Sequence, residues 1–369
     1  EECKASGSGS CIYSKSYRFS LENSIFRNIA SDSKSIIYLL MNEKVNSTIY
    51  NCTFDNNGNN KFDTTLYGTL ILRDCVFRTS ATSNLIDFSK MNSKGTISGN
   101  IFDNCTFEYC EKTALEPTDY NNTFIGCNIQ HNWRKSGSYP GGLYVNRDMY
   151  GCYFTFTDCI FLNNTSQNKA GAAYINTENV LSMDGCKFIN NTVSGNGDRC
   201  LGGGLHIEQI RVKITFVLRG CYFERNIASS GGGGVYCSFI DSSSGGDMMF
   251  NVPIIIDNCE FYLCSSSQSG GAILSGYINI WAPDKTISNG DIVINDCQFR
   301  SCEAVDGGCI YSYDGEESSD EETNITNCIF EECKASGSGS CIYSKSYRNY
   351  IYQNKFINSI HSKSKNILI

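Results

Sequence analysis

One tetrapeptide recurs ten times along the 369 residues, and the types it admits restrict the fold more than any other feature of the chain. It reads NCTF at 51–54, DCVF at 74–77, NCTF at 104–107, GCNI at 126–129 and DCIF at 158–161. GCKF at 185–188, GCYF at 220–223, NCEF at 258–261, DCQF at 296–299 and NCIF at 327–330 complete the set, with degenerate copies NSIF at 23–26 and QNKF at 353–356. Successive copies lie 22 to 38 residues apart, the size of one solenoid coil plus a loop of varying length. The residue before each cysteine is Asn51, Asp74, Asn104, Gly126, Asp158, Gly185, Gly220, Asn258, Asp296 or Asn327. Only Asn, Asp and Gly occur there, the types that tolerate a left-handed backbone.

Upstream of these corners run short alternations: Leu70 and Leu72, Phe154 and Phe156, Leu181 and Met183, Phe216 and Leu218, Ile292 and Ile294. The last apolar residue falls three before the cysteine, where unbroken alternation would place it two before. A strand therefore ends, the chain turns, and a second strand begins with Cys and Phe on one face. A third element follows each Phe: YPGGLYV, KAGAAYI, LGGGLHI, GGGGVYC, SGGAILS, DGGCIYS. Its glycines mark a sharp bend or a close backbone approach before a third strand. Three strands and three bends per coil predict an all-β fold, a single-stranded right-handed parallel β-helix of about 12 coils with inward Phe and Cys ladders. At ~4.8 Å per coil the rod is ~55 Å long. The surplus residues 240–250 and 276–290 are expected to bulge out as loops.

Residues Glu1–Arg18 and Glu331–Arg348 are identical, and Phe26 to Phe356 is again 330 residues. Residues 1–369 thus read as one continuous β-helix with a 330-residue super-repeat of eleven coils. Both ends cut through a coil without a polar cap, and there is neither an initiator Met nor a signal peptide. The expectation is a segment of a longer repeat protein or fibre, continued covalently or by end-to-end stacking.

GGAI at Gly270–Ile273, with Phe-x-x-Asn at Phe54–Asn57, Phe161–Asn164, Phe188–Asn191 and Phe223–Asn226, resembles the paired repeats of chlamydial polymorphic membrane proteins and of protist (trichomonad-like) surface proteins. The resemblance covers nearly the whole chain and implies a secreted or surface-displayed, often adhesive, β-helix. Four sites depart from it by reading Phe-x-x-Cys, at Cys110, Cys264, Cys302 and Cys333.

Of 21 cysteines, ten form the expected inward column: Cys52, Cys75, Cys105, Cys127, Cys159, Cys186, Cys221, Cys259, Cys297 and Cys328. In-register stacking spaces them at ~4.8 Å, wider than a disulfide's Cβ separation, so they read as buried thiols. Cys302–Cys309, Cys333–Cys341 and the copied pair Cys3–Cys11 are the disulfide candidates, each stapling a bend. Glycosylation sequons occur at Asn46, Asn51, Asn104, Asn121, Asn163, Asn164, Asn190 and Asn324. The acidic run Asp314, Glu316, Glu317, Asp320, Glu321, Glu322 is the one calcium candidate, against a solvated insertion. His206, after three glycines, is expected to point into or along the rod. No CxxC pair supports zinc, and no cofactor is expected.

A net charge of −8, without a basic stripe, argues against nucleic acid, and no apolar run is long enough to span a membrane. Paired carboxylates at equal phase in adjacent coils, which a polysaccharide lyase or glycoside hydrolase on this fold would need, are not evident. The sequence thus points to a non-enzymatic extracellular or cell-surface rod, a building block of a fibre or coat or an adhesin. Its partners would be copies of itself end to end, neighbouring surface proteins, or host glycans or proteins. A carbohydrate-active enzyme is the alternative.

Overall fold

The computed structural model describes residues 11–29, 36–41, 45–55, 62–65, 68–78, 86–87, 100–111, 113–116, 121–134, 139–145, 153–176, 180–195, 200–210, 215–240, 253–276, 291–313, 322–359 and 366–368. Residues 241–250 and 277–290 of the expected loops lie outside them. Every described element is a strand, and every strand pairing is parallel. Two sheets of twelve strands run the length of the rod. One, the pre-corner sheet, extends from Ser20–Glu22 to Arg348–Tyr352. The other, the Phe sheet, extends from Ile25–Arg27 to Lys355–Ile357. On the third side, the Gly sheet comprises three strands from Ile12–Ser16 to Phe62–Thr65 and ten from Ile86–Asp87 to Ile367–Leu368. Each coil thus lies directly over the previous one, Phe over Phe and corner over corner: a parallel β-helix of twelve coils.

All ten corners take the left-handed backbone that their residue types suggested, with φ from 49° at Asn51 to 62° at Gly185. Asn23 and Gln353 place the two degenerate copies in the same conformation. The turn reverses which side faces inward, and so explains the break in alternation. Leu72, Phe102, Phe124, Phe156, Met183, Leu218, Ile256 and Ile294 are all buried three residues before a buried cysteine. Leu181 departs from its expected place: the pairing shifts there, and Val180 takes the position opposite Phe154.

Two features of the coil go beyond the sequence reading. From Trp133–Arg134 to Lys334–Ala335, a fourth strand of two residues forms a seven-stranded sheet of its own. It starts after a second left-handed corner two residues past the Phe position, at His131, Asn163, Asn190, Arg225, Leu263, Ser301 and Glu332; Asn28, Tyr109 and Asn358 hold the same corner with no such strand after it among the described residues. Side chains such as Leu263 have no local hydrogen bond to stabilise that backbone. Replacing Leu263 (φ 53°) by Asn is therefore expected to stabilise the rod by about 1 kcal/mol, measured as a rise in the urea midpoint at constant slope.

At the third bend, glycine is required by close approach as well as by conformation. A Cβ on Gly203 or Gly233 would sit 2.3 Å from a carbonyl oxygen of the next coil, and the preceding Gly202 and Gly232 have φ of 72° and 62°.

The core is a set of columns. Phe26, Phe54, Phe77 and Phe107 stack at 4.9, 4.9 and 5.2 Å between ring centroids. After Ile129 the column resumes from Phe161 to Phe356 at 4.6–5.0 Å. Phe102, Phe124 and Phe156 form a second, shorter stack at 4.6 and 4.8 Å.

Candidate functional site

The ten cysteines of the tetrapeptide are buried without exception, each exposed by 1% or less. Eight of their thiols donate to backbone carbonyls in their own coil and the one before, as Cys75 Sγ reaches Arg73 O at 3.3 Å and Ile49 O at 3.5 Å, and Cys159 and Cys186 donate to a carbonyl of their own coil. Burial first, and then the neighbouring Cys259 and Cys328 thiols, push Cys297 well above the ordinary thiol range. For Cys105 the neighbours Cys127 and Cys75 contribute most and burial follows. In the same column the Cys105 and Cys52 thiols pull Cys75 down, and against its burial the Cys221 and Cys297 thiols pull Cys259 down. What all ten share is exclusion from water and therefore from any reagent. Iodoacetamide is accordingly expected to leave these ten unmodified in the folded chain and to label all of them in denaturant, as read by peptide mass spectrometry.

A second polar column lies beside the Phe stack. Asn132, Asn164, Asn191 and Asn226 are fully buried, and each side-chain amide donates to the next Oδ1 at 2.9–3.0 Å. The column continues with Cys264, Cys302 and Cys333. Asn164 fits a glycosylation sequon, but its amide is committed to Asn191 and to the Ile129 carbonyl inside the rod, so the folded chain cannot accept a glycan there. Asn46, Asn51, Asn104 and Asn190 are exposed, and Asn121, Asn163 and Asn324 partly so.

The disulfide differs from the expected pairs. Cys309 is bonded to Cys333, with Cα atoms 6.0 Å apart, while Cys302 and Cys341 remain buried thiols. Cys302 and Cys333 occupy one column and Cys309 and Cys341 another, so the bond runs diagonally between neighbouring coils instead of closing a bend. Cys3, of the copied pair, lies outside the described residues. So do Asp314, Glu316, Glu317, Asp320 and Glu321 of the acidic run; Glu322 is in a strand and pairs with Arg348 at 3.2 Å.

His206 alternates with the inward Leu205 and Ile207, so it stands on the outward side of the Gly sheet, yet only 5% of it is exposed. Tyr174 and Tyr236 flank its ring edge-on at 4.8 and 4.6 Å. Ser238 Oγ donates to the Ile207 carbonyl, so Nε2–H of His206 donates to Ser238 Oγ at 3.2 Å. Nδ1 is left buried without a partner. The charged groups around it are Glu208, which accepts from the Tyr174 hydroxyl, and Lys169, 4.0 Å from Glu208. Burial, then Lys169, holds the imidazole well below its usual pKa. The unfolded chain takes up this proton near pH 6.5 and the folded chain does not, so the stability His206 contributes is complete above that pH and falls below it. The loss should deepen as the pH falls from 6.5 towards 5.5. A fall in urea midpoint between pH 7.5 and 5.5 that is smaller in His206→Gln than in the parent would show it.

An open cleft of about 180 Å³ lies on the outer face of the Phe sheet, lined by Tyr222, Glu260, Phe261, Tyr262, Gln298 and Arg300. Arg300 donates to Gln298 at 3.0 Å and pairs with Glu331 at 3.3 Å. Burial, then Glu224, raises the Tyr222 phenol. Aromatic faces beside a carboxylate and a guanidinium suit a polar ligand with a flat apolar side. Glu260 is the single acid in this lining, where glycoside hydrolysis needs two carboxyl groups across the scissile bond.

A family model described as "Right handed beta helix region" matches residues 73–217. The chain is a right-handed parallel β-helix, and among its described residues no helix is long and apolar enough to cross a membrane. No curated protein and no solved structure matches it.

Proposed function

We propose that the chain is a non-enzymatic structural or adhesive rod of an extracellular or cell-surface layer, a unit from which a fibre or coat is built. The observation that carries this reading is that its first coil recurs as its twelfth. The strand Ile25–Arg27 has its counterpart, 330 residues on, in Lys355–Ile357, and both carry a stacked Phe. Lys15 over Tyr13 and Lys345 over Tyr343 repeat a side-chain arrangement at the same 5.6 Å. A unit that begins as it ends can be extended without new chemistry, because a coil supplies the strand edges for the next. An inter-coil disulfide, exposed sequons and the resemblance of the GGAI and Phe-x-x-Asn repeats to surface proteins favour an oxidising, external location. Light scattering over a concentration series tests the reading: mass should rise with concentration. A chain that stays monomeric at the highest concentration would refute it.

A second reading, a carbohydrate-active or carbohydrate-binding protein, draws on the cleft at Tyr222, Glu260, Tyr262 and Arg300. A panel of polysaccharides, scored for retention and for cleavage, separates the two.

A further inference from the structure

Each strand of the Phe sheet turns its central residue inward, so on the outer face every rung carries two side chains with a gap between them. Along all twelve rungs, Tyr222 and Tyr262 are the only aromatic residues in those two outward columns. They stand on adjacent rungs and on opposite sides of the gap, because Tyr222 pairs with Glu260 and Glu224 with Tyr262. The Tyr222 hydroxyl donates to Glu224 at 3.2 Å, so its ring lies along its own strand. Two rungs on, Arg300 Nη2 donates to Gln298 Oε1 at 3.0 Å, which lays a guanidinium along that strand in the same way. These two walls are ~9.6 Å apart. Glu260 and Tyr262 close the sides, and the backbone of Phe261 is the floor. The enclosed volume of about 180 Å³ is well below the roughly 300 Å³ at which pockets for drug-sized ligands begin, and suits a single small ring.

The charges around the cleft select the character of that ring. Arg300 pairs with Glu331 at 3.3 Å, and Glu224 pairs with Arg225. Glu260 is exposed, and its carboxylate has no hydrogen-bond or ion-pair partner among the described residues. An anionic guest would meet that carboxylate, and a cationic one would lie against the Arg300 guanidinium. A neutral guest whose rim both donates and accepts meets neither penalty and uses both walls. The tyrosine rings add a surface for an apolar face of C–H groups. A small ring with a hydroxyl rim and an apolar face is a sugar. We propose that the cleft holds one neutral pyranose unit of a glycan, bound and not cleaved. Tyr222 and Tyr262 pack on its C–H faces, Glu260 accepts from its hydroxyls, and Gln298 Nε2 and Arg300 donate to them. This rests on the carbohydrate-binding reading above and deepens it by naming the ligand class and the residues that choose it. Cleavage is not expected, because Glu260 has no second carboxyl group across the cleft.

Electrophoresis of the whole chain through native gels that contain a glucan, a mannan, a galactan or polygalacturonate tests the site. At least one neutral polysaccharide should retard the chain, and polygalacturonate should not. Tyr262→Ala should weaken the retardation about tenfold, read as the polysaccharide concentration needed for half the effect. Glu260→Gln should narrow the gap between neutral and acidic polysaccharide, because the repelling charge is gone. Tyr153→Ala, at an exposed tyrosine of another coil, should change nothing. All three positions are at the surface, and unchanged urea midpoints would show that the variants fold. Retardation by a neutral polysaccharide that survives Tyr262→Ala, or equal retardation of the parent by polygalacturonate, would overturn this site and leave the carbohydrate-binding reading standing. No retardation by any of the four would overturn both. Shortened polysaccharide after incubation with the chain would contradict binding without cleavage.

Discussion

Phe223→Ala is expected to lower the unfolding free energy of the rod by about 3–5 kcal/mol. Phe223 is fully buried, with Phe188 at 4.7 Å on one side and Phe261 at 4.8 Å on the other. Truncation removes two stacking partners and leaves a cavity that the neighbours cannot collapse into, because each ring is held by its own coil. A solenoid couples each coil only to its neighbours, so the damage should be local. Amide exchange should quicken around Phe188 and Phe261 and stay unchanged around Phe26 and Phe54. An unfolding free energy within about 1 kcal/mol of the parent would mean that the ring is not stacked between its neighbours.

The second large effect lies in the amide column. Asn191 makes four hydrogen bonds inside the rod. Its Nδ2 donates to Phe161 O and Asn226 Oδ1, and its Oδ1 accepts from the Asn164 amide nitrogens of backbone and side chain. Leu has a similar volume but leaves the Asn164 backbone N–H and one Asn164 amide hydrogen without an acceptor, while Asn226 Oδ1 keeps the backbone N–H of residue 191; a buried polar group without a partner costs about 1–3 kcal/mol. Asn191→Leu should therefore destabilise by at least about 3 kcal/mol. The opposite change one step beyond the column's end separates polarity from packing. Asn226 Nδ2 donates one hydrogen to the Phe188 carbonyl at 2.7 Å, but its other meets the weak acceptor Cys264 Sγ at 3.9 Å, so Cys264→Asn should extend the column and raise stability by about 1 kcal/mol. Chemical denaturation of both variants beside the parent measures the pair.

These columns also show how far a sequence of this kind can be read. The first corner is legible because its left-handed backbone admits few residue types, and Asn51, Asp74 and Gly126 share nothing else. The Phe and Cys columns are legible because a parallel stack sets like residue over like. The second corner is not: Tyr109, Arg225, Leu263 and Glu332 have no common chemistry, and the backbone there is imposed by the coils on either side. The fourth strand, such as Thr165–Ser166, is too short to show a period. Spacing alone misplaces the disulfide, because a bond between coils depends on which rung each cysteine occupies, and loops of unequal length hide that. Asn164 fits a sequon and an inward ladder equally well by letter; only its burial decides. The cleft on the Phe sheet leaves no trace in the sequence, since Tyr222, Glu260 and Arg300 are separated by a full coil each.

Cryo-electron microscopy of the concentrated chain tests the central claim most directly. Rods should be seen with a rung every ~4.8 Å along the axis. Compact particles without the axial spacing would contradict it.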